Sequence, residues 1–457
     1  MFHTVKLSKS DPTPIYIQLA SELAKLIQQD LLYEGMKLPT IRHLSKQLSI
    51  NRDTVVSAYK LLEQQGLVES HIGKGTYIAS HKKNTFPSAS IPIASMPQNP
   101  HICCSHLNLS ADFFPTTLCQ ELTTQIITEE GWEAFSDPLY RERKALKQSV
   151  AHYLETLGVK THFAQVRLIK DMETFLLNLF KLSPKVGVCV ETPRDLTLSC
   201  YLRSIGAKVY EVPLTHEGMD LEILEKHLHT GTISAIFITP YLQNPTGICY
   251  SQDHLNQLLE LAKKYDCLIV EDGTYCDFLT NTHYTPLYNL PHDGRILYLY
   301  HFSKVYLPYM KYSFAALPVY LIKRFQDDID CSFNERFLRY YLDSDSLTSL
   351  KNHIIHTCKA RYNYLLEQLE LLHPIIQYPH QSGGLSLWCK VDASLYPRLL
   401  EQLTKQEVII APGELFSNQS LDGYFRLSIS NVSYDEIDEL ITSLGQILLP
   451  QNLSIKH

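Results

Sequence analysis

Short apolar runs alternate with helix-like segments downstream of about residue 108, and this alternation constrains the fold more than any other feature. The apolar runs include VGVCVETP, ISAIFITP, CLIVED and RILYLYHF, and amphipathic segments such as DHLNQLLELAKKY stand between them. Strands of this kind predict an α/β domain whose mainly parallel sheet is covered on both faces. In such sheets ligands bind at the carboxyl ends of the strands.

Polar side chains follow three of these apolar runs. Asn244 lies in the turn QNPTG after IFITP, and Asp272 ends CLIVED shortly before Tyr275. Ser303 and Lys304 follow RILYLYHF. A lysine amine can form a Schiff base with an aldehyde, and a carboxylate can hold a pyridinium nitrogen protonated. Each motif alone is commonplace, but their order at successive strand ends predicts one ligand pocket.

A separate pattern from Leu38 to Tyr77 predicts a helix-turn-helix followed by a hairpin. Thr40 is a suitable N-cap for a short helix, and a second helix is predicted from about Asn51 to Gln64. The inward side of the first helix is predicted to consist of Ile41, Leu44 and Leu48. The buried stripe of the second is predicted to consist of Val55, Ala58, Tyr59 and Leu62. Two short helices joined by a tight turn allow the second to lie in a DNA major groove.

Two short strands are predicted at 67–70 and 76–78, around Gly73, Lys74 and Gly75. A lysine flanked by glycines at a hairpin tip is suited to contact backbone phosphate. Arg52, at the start of the second helix, would meet DNA first. A three-helix unit with a purely structural hairpin is the alternative interpretation of the same pattern.

Composition and charge set the broad class. The chain has 457 residues, is 45% hydrophobic and has a formal net charge of −7, but residues 1–85 contain eleven basic and seven acidic residues. Only the front of the chain is therefore suited to phosphate contact. No apolar stretch is long enough to span a membrane, and the scattered cysteines lack metal-ligand spacing, which predicts a cytoplasmic protein without a metal site.

The segment LPTIRHLSKQLSINRDTVVSAYKLLEQQGLVESHIGKGTYI resembles the GntR family of winged-helix regulators, within a match over roughly residues 12–80. Asn51 stands where that family usually has serine, which can still cap the helix. The DNA contacts that the resemblance implies are Arg42, Arg52, Thr54, Lys74 and Gly75.

Roughly residues 108–450 resemble fold-type I aminotransferases that use pyridoxal phosphate. By that resemblance Lys304 is the catalytic Schiff-base lysine and Asp272 is the partner of the pyridine nitrogen. Asn244 and Tyr275 would contact the ring hydroxyl, and Arg426, in the segment GYFRLS, would bind a substrate carboxylate. Ser303 and Lys311 complete the expected cofactor-binding set.

Four positions depart from the aminotransferase pattern. The glycine-led phosphate cup is replaced by KDMET at 170–174, and a carboxylate there would repel phosphate. Asp195 stands where an aromatic residue normally stacks on the ring. The phosphate-binding arginine falls on Lys311, and His301 replaces a phosphate-binding hydroxyl. We expect either weakened cofactor binding or a phosphate held by other groups, which are Arg194, Lys170, His301 and Lys311.

The predicted organisation has three parts. A winged-helix domain at 1–80 is joined by a linker at 81–107, rich in proline and serine in its first twenty residues, to an aminotransferase-like domain at 108–450. The large part of that domain is expected at about 108–345, and a smaller α+β part at about 346–450.

The fusion of these domains resembles a MocR-type regulator, a homodimer that binds repeated or inverted DNA half-sites. Its body would sense an amino or carboxylate effector through pyridoxal phosphate at Lys304. Two alternatives stay open: a cofactor-poor or cofactor-free regulator that uses the fold as a dimerisation and ligand-binding scaffold, and an active aminotransferase with a DNA-binding appendage.

Overall fold

The structure is a computed structural model that separates into two compact units, Met1–Ser88 and Ala89–His457. The residues that it describes are 15–28, 36–48, 50–64, 68–71, 75–78, 100–136, 140–180, 185–280, 284–291, 293–307, 310–325, 332–379 and 383–449. Within these ranges no helix has both the length and the apolar character needed to cross a membrane.

The first unit has three helices and a hairpin in its described part. The helices are α1 (Ile15–Gln28), α2 (Ile41–Leu48) and α3 (Arg52–Gln64), and the antiparallel strands are β1 (Val68–His71) and β2 (Gly75–Ile78). The N-cap positions agree with the sequence, because the Thr40 hydroxyl accepts from the His43 amide at 3.3 Å and the Asn51 side chain accepts from the Asp53 amide at 3.3 Å.

The core of this unit confirms the predicted stripe of α3. The buried residues of that stripe are Val55, Ala58, Tyr59 and Leu62. Leu44 of α2 is also fully buried, but Ile41 was predicted to face inward and is 36% exposed. Ile41 opens α2 directly after the cap, so its side chain lies at the margin of the small core and not within it.

The second unit contains two sheets. Its strands are β3 (Ile102–Cys104), β4 (Val166–Ile169), β5 (Gly187–Thr192), β6 (Lys208–Thr215), β7 (Gly218–Met219), β8 (Ile233–Ile238), β9 (Leu268–Asp272), β10 (Ile296–Tyr300), β11 (Ser313–Ala316), β12 (Ser386–Lys390), β13 (Val408–Pro412) and β14 (Tyr424–Ser428). The larger sheet has the order β4-β11-β10-β9-β8-β5-β6-β7. Its five central strands β10, β9, β8, β5 and β6 run parallel to one another. β11 runs antiparallel to both of its neighbours.

Helices surround both sheets. They are α4 (Thr116–Glu130), α5 (Tyr140–Thr156), α6 (Met172–Phe180), α7 (Leu196–Ser204), α8 (Leu221–Leu228), α9 (Gln252–Lys264), α10 (Phe302–Val305), α11 (Phe333–Leu342), α12 (Asp345–Leu369), α13 (Tyr396–Lys405) and α14 (Tyr434–Leu448). Val188 and Val190 of β5 belong to one apolar cluster, whereas Cys189 between them belongs to another. Successive side chains of a strand point to opposite faces, so the sheet is covered on both sides, as predicted.

The smaller sheet has the order β12-β14-β13-β3, in which β3 pairs parallel to β13. β3 lies inside the segment predicted as linker at 81–107, so the structured body begins before residue 108. Ile102 and Cys104 are 1% exposed. Three residues are too few for their alternation to stand out in sequence, and a partner strand some 300 residues later makes the pairing a long-range event.

Candidate functional site

The predicted DNA contacts of the first unit lie on α2 and α3. Arg52 and Lys60 are exposed on α3, Thr54 is half-buried beside them, and Arg42 is exposed on α2. The Tyr59 hydroxyl donates to the Pro39 carbonyl at 2.8 Å, which ties the inner side of α3 to the segment before α2. The predicted DNA contacts of both helices therefore lie on accessible surface.

The hairpin begins its second strand at Gly75, where the backbone has φ +112°. A Cβ atom at this position would lie 2.7 Å from Cε of Lys37, so both the backbone conformation and the close approach favour glycine. Lys37 in turn pairs with Tyr77 in an isolated bridge. Lys74, the predicted tip residue, lies outside the described residues.

The main cavity of the second unit has a volume of about 1270 Å³ and lies at the carboxyl ends of β9 and β10. Lys304 and Ser303 reach it from α10, Asp272 reaches it from the end of β9, and Lys311 lies on the segment before β11. Four of the predicted cofactor-binding residues therefore line one space. We call the part formed by Lys304, Asp272 and Asp195 the lysine end.

Lys304 is accessible within the cavity, although protein surrounds it. Burial by this surrounding protein lowers the pKa of the Lys304 amine, but Tyr275, Asp195 and Asp272 outweigh that effect, and the pKa lies above its ordinary value. The amine is therefore protonated at neutral pH, and it must give up its proton to a base or to a ligand before it can act as a nucleophile.

Asp195 acts electrostatically on Lys304, and the aminotransferase pattern has an aromatic residue at this position instead. Its side chain caps α7 by accepting from the Thr197 amide at 2.9 Å. Burial raises the pKa of Asp195, but the charge of Lys304 and the hydrogen bonds from Thr197 lower it by more, so the net pKa lies below the ordinary value. An ionised carboxylate thus stands where a stacking aromatic ring was expected.

Asp272 is oriented by its own turn. Its Oδ1 atom accepts from the Thr274 amide at 3.0 Å and from the Thr274 hydroxyl, and its Oδ2 atom lies 3.7 Å from Nε2 of His301. Burial lowers the pKa of His301 to about 4, so the imidazole is neutral at physiological pH. Its Nδ1 atom lies 2.9 Å from the Ser313 hydroxyl. His301 therefore offers no positive charge to a phosphate.

Asn244, Tyr275 and Arg426 are close to this cavity but do not line it. Asn244 and Tyr275 line a separate pocket of about 20 Å³. Arg426 donates to Asn244 Oδ1 at 2.6 Å and to the Ser105 carbonyl at 2.5 Å. Tyr275 acts electrostatically on both Lys304 and Arg426, so it stands between the two spaces. The amide predicted to face a ring hydroxyl is here bonded to the arginine predicted to bind substrate.

A second part of the cavity lining, which we call the helix end, is formed by Lys170, Asp171 and the start of α6. The Asp171 carboxylate accepts from the amides of Glu173 at 3.1 Å and Thr174 at 3.2 Å, and from the Thr174 hydroxyl. Hydrogen bonds from Thr174 hold the pKa of Asp171 below its ordinary value. The amides at the start of α6 are therefore already bonded to an anion of the chain itself.

The other groups expected to hold a phosphate differ in their contacts. Lys170 forms an ion pair with Glu335, whose side chain is 0% exposed. Arg194 donates its backbone amide to the Phe416 carbonyl at 2.7 Å, and its Nη1 atom is buried without a hydrogen-bond partner among the described residues. Lys311 is exposed and has a left-handed backbone with φ +56°.

These contacts test whether pyridoxal phosphate fits. The lysine end offers an amine and a carboxylate suited to an aldehyde and a pyridine nitrogen. The helix end does not fit a phosphate, because Asp171 occupies the amides, Glu335 pairs with Lys170 and His301 is neutral. The phosphorylated cofactor therefore does not fit this cavity in the manner of the aminotransferases.

A buried network beneath the cavity was not predicted from the sequence. Asp277 accepts from the hydroxyls of Tyr300 and Tyr306 at 2.8 Å each, and Lys351 lies 3.0 Å from its other oxygen. The Tyr153 hydroxyl lies 3.1 Å from that of Tyr300. Alternating tyrosines in LYLYHF are a sequence signal for inward polar groups, but neither the acceptor Asp277 nor its partner Lys351 on α12 could be identified from the sequence.

Two family matches cover most of the chain. Residues 15–78 match the bacterial regulatory proteins of the gntR family, and residues 107–308 match the aminotransferases of class I and II. The multiple substrate aminotransferase of Thermococcus profundus is similar in structure, with a TM-score of 0.67, 23% identity and coverage of 77% of this chain and 92% of that one. A kynurenine aminotransferase of Pyrococcus horikoshii gives the same TM-score at 22% identity, covering 77% and 91%.

Curated relatives match along most of the chain. The uncharacterized HTH-type transcriptional regulators YdfD and YcxD of Bacillus subtilis are 24% and 26% identical, covering 96% and 93% of this chain and 97% of each relative. The probable rhizopine catabolism regulatory protein MocR of Rhizobium meliloti is 24% identical, covering 70% of this chain and 69% of its own. The chain joins a gntR-family helix-turn-helix domain to an aminotransferase-like body. Its relatives include HTH-type transcriptional regulators, MocR among them.

Proposed function

We propose that the body of this regulator binds an amino or carboxylate effector in the cavity around Lys304, and that binding alters the occupancy of DNA by the winged helix. The observation that carries the proposal is the cavity of about 1270 Å³, in which Lys304 stands beside Asp195 and Asp272. An ammonium beside two carboxylates can pair with both charged groups of an amino acid.

The proposal makes the protein a sensor without turnover. The aspartates hold Lys304 protonated, and Asp195 replaces the expected stacking ring, so the groups that would carry a transamination are not arranged for it. We place the protein in the cytoplasm as a homodimer that binds an operator with repeated or inverted half-sites, in keeping with its winged helix.

The DNA half of the proposal is tested with fragments selected from a random-sequence pool by the full-length protein. Arg52→Ala should weaken binding by about tenfold or more at fixed salt, because the start of α3 is expected to meet base edges. Lys60→Ala is the matched control, since Lys60 is an exposed cation near the other end of the same helix. Equal losses for the two variants would show that the wrong surface has been chosen.

The effector half is tested by adding the common amino acids and their 2-oxo acids to the complex of full-length protein and selected DNA. An effector should change DNA affinity and raise the melting temperature of the body, and Lys304→Ala should remove both responses. If none of these compounds changes DNA binding in the wild-type protein, an amino or carboxylate effector is excluded.

Sensing through pyridoxal phosphate is the second candidate, and it is favoured by Lys304, Asp272 and the nearby Tyr275. A mixture of protein and cofactor should then absorb in the visible range, and Lys304→Ala should abolish the band. Repeated turnover of an amino donor would identify an aminotransferase. A protein that stays colourless and still binds its operator supports the cofactor-free regulator.

A further inference from the structure

We propose that the helix end of the cavity is closed to phosphate by the chain itself, so that the effector is a non-phosphorylated molecule whose group at this end is uncharged or cationic. The inference rests on the cavity of the proposed function and specifies the chemistry of its ligand. Three steps lead to it.

The first step concerns the amides at the start of α6. A helix N-terminus binds anions through backbone N–H groups that lack partners within the helix. Here the amides of Glu173 and Thr174 both donate to Asp171, and the Thr174 hydroxyl does so as well. The carboxylate occupies the place of an external anion, and it cannot dissociate because it is a side chain of the protein.

The second step concerns the cations. A phosphate that displaced the carboxylate would need positive charge, and Lys170 is already paired with the buried Glu335. His301 lies against Asp272 and Ser313 and is neutral at physiological pH. Arg194 and Lys311 also line the cavity, and Arg194 lies against Asp195 at the lysine end, where its Nε atom donates to the Asp195 carbonyl at 3.4 Å and its charge acts on the Asp195 carboxylate. A dianion at the helix end would therefore meet the Asp171 carboxylate beside a lysine that is already paired.

The third step concerns what can lie there. A carboxylate bonded to two amides and a hydroxyl has acceptor capacity left over, because its two oxygens have about four lone-pair sites. A hydroxyl or an ammonium group of a ligand can use that capacity, whereas an anion meets repulsion at short range. The helix end thus selects against a charge that the homologous site of an aminotransferase would select for.

Two probes that differ only in phosphate measure this selection. Pyridoxal and pyridoxal 5'-phosphate are titrated separately into full-length protein and followed by absorbance and by calorimetry. In the wild-type protein the phosphate should give no gain in affinity over pyridoxal. In Asp171→Gly, which frees the amides and removes the negative charge, pyridoxal phosphate should bind about tenfold or more tightly than pyridoxal.

The chain offers a matched control in Asp220. This residue caps α8 in the same manner, accepting from the amides of Glu222 and Ile223 at 3.0 Å each, and it does not line the cavity. Asp220→Gly removes an equivalent cap and should leave the ratio of the two affinities unchanged. Asp171→Asn keeps a capping side chain without the charge and serves if the glycine variant does not fold; it should shift the ratio towards pyridoxal phosphate by a smaller factor.

Each outcome decides the inference. A wild-type preference of tenfold or more for pyridoxal phosphate would overturn it. So would an Asp171→Gly variant whose ratio matches that of wild type, and so would the absence of binding by both probes to both proteins. Binding of pyridoxal phosphate to the variant alone supports it. None of these readings uses DNA, so a failure of effector-dependent DNA binding is measured independently.

Discussion

The two ends of the cavity use similar residues in opposite ways. At the lysine end Asp195 and Asp272 accept hydrogen bonds from their own turns and also act on Lys304 through space, so that, with Tyr275, they keep its pKa above the ordinary value. At the helix end the charged groups are bonded to the chain, Asp171 to the start of α6 and Lys170 to Glu335. The difference teaches that resemblance to an enzyme family can persist at one end of a site while the other end has been rebuilt. The following predictions test whether the two ends are as separate as they look.

The largest effect on stability is expected in the buried network that joins Asp277 to Lys351 and to two tyrosine hydroxyls. Lys351→Met removes the cation that pairs with Asp277. The two side chains are only 13% and 8% exposed, so water cannot replace the lost partner fully. Removing one partner of a buried ion pair should lower the free energy of unfolding of the body by about 3 kcal/mol. Denaturant titration of the full-length protein measures this change.

The control for this loss is Lys405→Met on α13, whose ion pair with Glu401 joins side chains that are 60% and 63% exposed. It should leave the free energy of unfolding unchanged within error, because solvent screens an exposed pair. A similar cost for both lysines would mean that the network beneath the cavity contributes nothing special to its rigidity.

A smaller effect is expected at Lys304 itself. Asp195→Asn removes a carboxylate that raises the pKa of Lys304, so the pKa should fall and more free amine should be present at any pH below it. Reaction of Lys304 with trinitrobenzenesulfonate, followed against pH in the full-length protein, should shift to lower pH and become about tenfold faster at fixed pH. Asp171→Asn, at the other end, should leave the profile in place. A shift with Asp171→Asn as large as that with Asp195→Asn would mean that the two ends share one electrostatic field.

The elements that sequence predicted well depend on local patterns. The cap at Thr40, the stripe from Val55 to Leu62 and the placement of Asp272 and Lys304 after apolar strands follow from spacing over a few residues. Such signals need only a helix or strand period and a strand end. The mainly parallel sheet follows from the same reasoning, because apolar runs without alternation predict strands buried on both faces.

The features that sequence did not give depend on distant contacts. β3 pairs with β13, and Lys170 forms its ion pair with Glu335 on α11. Arg426 donates a hydrogen bond to Asn244, which lies 182 positions earlier in the chain. The substitution at Asp171 was visible as a negative charge in the wrong place, but its role as the cap of α6 required the direction of its side chain.

The smallest effect distinguishes a plain helix cap from a strained one at the helix end. If Asp171 is an ordinary cap, Asp171→Ala should lower the local stability of α6 by about 1 kcal/mol. Asp220→Ala should do the same to α8, because each change removes two hydrogen bonds of similar length from backbone amides. Hydrogen exchange at the amides of Glu173 and Thr174 should then quicken about fivefold, as should exchange at Glu222 and Ile223 in the control. Slower exchange in Asp171→Ala would instead show that the carboxylate is held at a cost to α6. In that case the negative charge would be kept for what enters the cavity and not for the helix, and the two ends would both belong to the ligand.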